Sequence, residues 1–260
     1  MPNSKSKFHF KNIRQKISWV DILMGVAFSF MWGSAFTSAR IIVQHAPPLT
    51  ISALRFLIAG SIAVSIAYLL RQSLAATWAQ WRAITIVGIC QNALYLGLIF
   101  VGMQWIEASL ATILASTLPL LVAIFNRIIF NKKLHFLGIC GLIGGFVGVA
   151  LILGDRVSND VDLKGIVACG IGVLALTLAT LSVREASSGG NLVMVIGIQM
   201  LIGGSVLGLI SIFFEQWYFT WSLELVLAFS YTLIVPGLIA TWIWFKLIER
   251  VGPTHASSFH

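Results

Sequence analysis

The sequence predicts an all-α membrane protein of ten-helix design, made of two inverted five-helix repeats, the second truncated after about eight complete spans. Three observations predict it. Hydrophobic residues fill 58% of the 260 positions and charged residues only 10%, with a mean hydropathy of +0.93, whereas soluble domains carry about 45–50% apolar residues. The apolar residues fall in runs of about 20, the length that crosses about 30 Å of hydrocarbon at 1.5 Å per residue. Two segments also match at an offset of 144: Leu54-Arg55-Phe56-Leu57-Ile58-Ala59-Gly60-Ser61 and Ile198-Gln199-Met200-Leu201-Ile202-Gly203-Gly204-Ser205.

A basic tail over residues 1–19 precedes the first apolar run, which is too long for the 7–15-residue core of a signal peptide and reads as an uncleaved helix. Complete spans follow at roughly 20–41, 50–70, 83–103, 108–130, 134–154, 164–184, 191–214 and 224–247, and a ninth begins near Gly252. Thirteen of the 17 Lys and Arg fall on one side of these spans, which places the N-terminus in the cytoplasm; the cell (inner, cytoplasmic) membrane is the expected location. Trp19, Trp81, Trp105, Trp217, Tyr218 and Trp221 sit at span ends and fit an interfacial belt.

The repeat extends further. Glu107-Ala108-Ser109 aligns with Gly252-Pro253-Thr254 at an offset of 145, so residues 20–154 form one five-helix unit and residues 163–260 a second. An odd number of spans makes the second unit enter from the opposite side, with a pseudo-twofold axis in the membrane plane. The counterpart of span five would end near residue 299, about 39 residues past His260, so the second unit is expected to be incomplete.

Several polar or aromatic residues lie within the spans. Trp32, beside Gly33 and Ser34, is far from the interface where indole N–H groups find partners; it either lines a cavity or packs helices. Arg55 lies about one and a half turns inside span two, and is expected to snorkel outward, with attraction of an anion in the outer vestibule as the competing role. Gln91, Asn92 and Tyr95 in span three either line a pore or join helices, and Ser116, Thr117 and Pro119 make a kinkable polar patch in span four. Pro236-Gly237 occupies a comparable place in span eight, followed by Thr241, Trp242 and Trp244. Gly141-x3-Gly145, Gly144-x3-Gly148 and Gly204-x3-Gly208 are ridges for close helix packing, a homodimer face being the weaker alternative.

The net charge of +8 is scattered over short loops, which argues against nucleic-acid binding. Cys90, Cys140 and Cys169 lie in apolar runs without CxxC spacing, so neither disulfides nor a metal site is expected. All nine carboxylates fall at span ends or in loops, and no HExxH or GxSxG occurs, so no catalytic residues, no enzyme and no cofactor are expected. His255 is the histidine expected nearest a pathway through the bundle.

These segments resemble the EamA branch of the drug/metabolite transporter superfamily. The resemblance lies in Trp32-Gly33-Ser34-Ala35-Phe36, Leu54 to Gly60, Ala108-Ser109-Leu110-Ala111 leading to Pro119, and Ile248 to Ser257. The family's second copy of the first-helix motif is replaced here near Leu176-Thr177. The resemblance implies a multi-pass carrier that exports small metabolites, amino-acid-like or related, by alternating access between the halves. It also implies a cavity lined by Trp32, Ser34, Asn92, Tyr95, Ser116, Thr117, Pro119, Trp242 and Trp244, with the lipid bilayer and a small-molecule solute as partners. The alternative expectation is a truncated or split-gene product without transport activity, or a partner-binding membrane subunit.

Overall fold

The computed structural model describes residues 18–73, 76–130 and 162–260, with scattered helical positions between 140 and 154. Seven helices among the described residues are long and apolar enough to cross a membrane: α1 (Trp19–His45), α2 (Pro48–Leu69), α3 (Trp78–Gly102), α4 (Ala108–Ile129), α5 (Leu163–Ala186), α6 (Leu192–Phe214) and α7 (Leu223–Val251). A short α8 (Pro253–Ala256) and a 3-10 turn (Ser257–Phe259) follow. Of the eight complete spans expected, the fifth falls largely outside the described residues.

Helix starts follow local chemistry. Ser18 and Asp21 form a capping box at α1, and the Asp21 carboxylate also accepts from the Arg250 guanidinium at the end of α7. Thr77 and Ser222 cap α3 and α7 with their hydroxyls, and Asp162 caps α5. No side chain in α2 caps its own start. Glu215, just past the end of α6, supplies the acceptor instead: its carboxylate takes the backbone N–H groups of Leu49 and Thr50, each at 2.7 Å, and the Thr50 hydroxyl at 2.8 Å. A carboxylate suits the positive end of the helix dipole there. At the other end of the α2–α6 pair Gln72 accepts from the Met194 N–H, and nearby Gln80 of α3 donates to the Ala186 carbonyl of α5 at 2.9 Å and to Asn191 Oδ1 at 3.0 Å.

The two matching segments lie against each other at the centre of the bundle. A Cβ on Gly60 of α2 would stand 2.9 Å from both the Gly197 carbonyl and Leu201 of α6, and one on Gly204 of α6 would stand 3.1 Å from Leu57 and Phe56 of α2. Only a missing side chain lets the two backbones come this close. In the offset of 144, Gly60 corresponds to Gly204 and Leu57 to Leu201, so each glycine seats the counterpart of the other's leucine.

Two helices carry a π-helical stretch. In α3 it covers Gly88–Leu96 and in α7 it covers Leu233–Ala240, where Pro236 removes a backbone donor. These stretches start 145 residues apart, the offset of the repeat. Trp19, Trp78, Trp217 and Trp221 are exposed near helix ends.

Candidate solute cavity

Where α1, α2, α3 and α7 converge, they enclose a cavity whose wall is mostly aromatic and aliphatic. From α1 come Trp32 and Phe36, and from α2 Arg55 and Phe56. From α3 come Tyr95 and Phe100, and from α7 Pro236, Gly237 and Thr241. Tyr95, Pro236 and Gly237 belong to the two π-helical stretches, so the irregular turns of both helices face the same space. The room open to a water-sized occupant is about 20 Å³, enough for about one water and far below the several hundred Å³ of a metabolite pocket. The cavity is therefore narrow in this structure.

Among the described residues, Arg55 is the one charged side chain in this wall. It is 4% exposed, and its guanidinium lies over the rings of Phe56 and Phe100, 4.3 and 5.1 Å from their centroids. Its Nε and Nη2 have no hydrogen-bond partner. The expected snorkelling is corrected: the side chain turns into the bundle, because the two phenyl rings shelter its stem and face on the inner side of α2. Trp32 Nε1 and the Tyr95 hydroxyl are also buried without partners, and the two rings run nearly parallel 6.4 Å apart.

The other sequence candidates are placed unevenly. Trp244 lies behind the wall, stacked on Phe28, which in turn stacks on Trp32. Asn92 is buried away from the cavity, and its amide donates to the carbonyl and side-chain oxygens of Gln199; it joins α3 to α6. Gly203 packs directly on Asn92, which closes the space around it. Ser34 faces outward and bonds the Tyr231 hydroxyl at 2.5 Å, since it is two residues past Trp32 and so on a different face of α1. Trp242 is 43% exposed on the outer face of α7 for the same reason, two residues before Trp244. Ser116 and Thr117 interrupt α4 between Ala108–Ala115 and Leu118–Phe130, and their hydroxyls bond the Ile113 and Leu114 carbonyls of their own helix. They and Pro119 do not line the cavity.

One aromatic cluster was not legible in the sequence. His255 is exposed, whereas the ring of His260 lies among Phe28, Trp32, Tyr95 and Trp244, with centroids 5.2 to 6.3 Å away. The offset of 145 sets His260 opposite Ala115, beside the polar break of α4, and that correspondence was the available signal.

Comparisons with known proteins agree with this architecture. The model of the EamA-like transporter family matches residues 19–154. An uncharacterized transporter from Buchnera aphidicola subsp. Schizaphis graminum is 23% identical over 91% of this chain and 80% of its own length. YoaV, an uncharacterized transporter from Bacillus subtilis, is 22% identical over 92% of this chain and 83% of its own length. YedA, an uncharacterized inner membrane transporter from Escherichia coli, is 27% identical over 91% and 78%. A solved crystal structure shares the fold with a TM-score of 0.67 at 20% identity, covering 92% of this chain and 84% of its own. The family model covers more than half of the chain, which therefore belongs to the EamA-like transporter family.

Proposed function

We propose that this membrane transporter exports small metabolites, amino-acid-like or related solutes, across the cytoplasmic membrane. It does so by alternating access between two inverted halves, residues 20–154 and 163–260, with the N-terminus in the cytoplasm. The observation that carries the reading is the narrow cavity where α1, α2 and α3 of one half meet α7 of the other. The reciprocal seating of Gly60 and Gly204 supports a twofold relation, because a twofold axis makes each contact occur twice with roles exchanged. The matching π-helical stretches in α3 and α7 support it too. They also supply turns whose hydrogen bonds can re-register as the cavity opens.

The direct test is solute flux. The full chain, reconstituted in lipid vesicles preloaded with a panel of small metabolites, is expected to release at least one of them faster than protein-free vesicles do. Release of none, by protein shown to be folded by its helical circular dichroism, would contradict transport.

A further inference from the structure

We propose that the solute is an organic monoanion with a flat apolar body, whose carboxylate binds Arg55. The inference rests on the cavity being the transport site and, within the proposed amino-acid-like or related solutes, favours related carboxylates over amino acids themselves. Arg55 is a permanent cation held inside the bundle, 4% exposed, with Nε and Nη2 unpartnered. These two nitrogens carry the parallel N–H bonds along one edge of the guanidinium, the edge that takes both oxygens of a carboxylate. Phe56 and Phe100 lie against the guanidinium, so the unpartnered edge is what remains for a ligand.

No described residue supplies the counter-charge. Among the described residues the cavity wall holds no carboxylate; Asp21 is taken by Arg250, and Glu215 by the start of α2. A buried cation left without a partner is strongly unfavourable, so a folded state that keeps one gains when an anion enters. Among the described residues the wall offers an ammonium group no carboxylate, which favours a monoanion over a zwitterion. Gln199, the repeat counterpart of Arg55, is neutral and engaged with Asn92, so the cavity offers one anion site. The surrounding Trp32 and Tyr95 rings fit a flat apolar body, and the free indole N–H provides one further donor.

The test is thermal unfolding of the purified full chain in detergent, followed by circular dichroism. Sodium phenylacetate should raise Tm saturably by about 2–4 °C. Phenylacetamide, phenylalanine and sodium chloride at the same concentration should not. Arg55→Met should unfold at a higher Tm than wild type without ligand and lose the response. Arg55→Lys, which keeps the charge but not the fork, should need at least about tenfold more phenylacetate. If Arg55→Met does not fold, the neutral Arg55→Gln carries the same comparison. A wild-type protein that ignores phenylacetate, an equal response to phenylacetamide or chloride, or a response that survives loss of the guanidinium would overturn the proposal. Stabilisation through Arg55 in a chain that moves no solute in vesicles would leave the carboxylate site at Arg55 standing and sink the transport reading. Solute flux unchanged in Arg55→Met would do the reverse.

Discussion

Single residues decide what the cavity can hold, and they were legible to different degrees. Trp32 announced itself because an indole at mid-span has no interfacial partner, and it is found in the wall with its N–H free. Arg55 was visible as a charge inside a span, but its direction was not. Position along a helix gives depth, whereas direction depends on Phe100 of α3, a neighbour 45 residues away in sequence. The resemblance implied Ser34 and Trp242 as cavity residues beside Trp32 and Trp244, but positions two apart on a helix face different ways, and both lie outside the wall. If Trp32 contacts solute through its N–H, Trp32→Phe should leave Tm within a few degrees of wild type, since the ring stays and a buried unpaired donor goes. It should still raise the KM for a transported solute by about tenfold, the worth of one hydrogen bond in a dry site. Flux assays with unchanged KM would remove Trp32 from the solute's contacts.

At the scale of elements, the spans and the repeat could be read from hydropathy and one offset. The π-helical stretches could not. Pro236 hints at the one in α7, but Gly88–Leu96 contains no proline and has an ordinary helical composition. A π turn reflects how a helix fits its neighbours rather than a local preference. The α2–α6 pairing makes two predictions about stability. Gly60→Ala places a methyl 2.9 Å from the Gly197 carbonyl, and because backbone has to move, it should destabilise by about 1–3 kcal/mol. Thermal denaturation in detergent checks this, and an unchanged Tm would mean that the two helices are not packed so closely. Glu215→Gln keeps the shape but removes the charge at the start of α2, and is expected to lower stability by about 1 kcal/mol. The matched change at Glu224, in the first turn of α7 with no such cross-helix partner among the described contacts, is the control.

For the molecule as a whole, the family could be recognised in the sequence because several short motifs occur in the right order along the chain. The position and chemistry of the cavity could not, since its wall draws on four helices from both ends of the sequence. Both ends of the bundle are fastened, by Asp21 with Arg250 at one and by Glu215 with the start of α2 at the other. Between them lies a space of about 20 Å³, so on the proposed alternating-access reading the helices part toward each face in turn. Ala35 lines that space and can be exchanged for cysteine with little change in volume. The most direct measurement is labelling of Ala35→Cys, in a background with Cys90, Cys140 and Cys169 replaced by serine or alanine, with a membrane-impermeant maleimide. The reagent is added to right-side-out and to inside-out vesicles. Alternating access predicts that the position reacts from both faces, at rates that fall when a transported solute is present. Reaction from one face alone, or from neither, would contradict it.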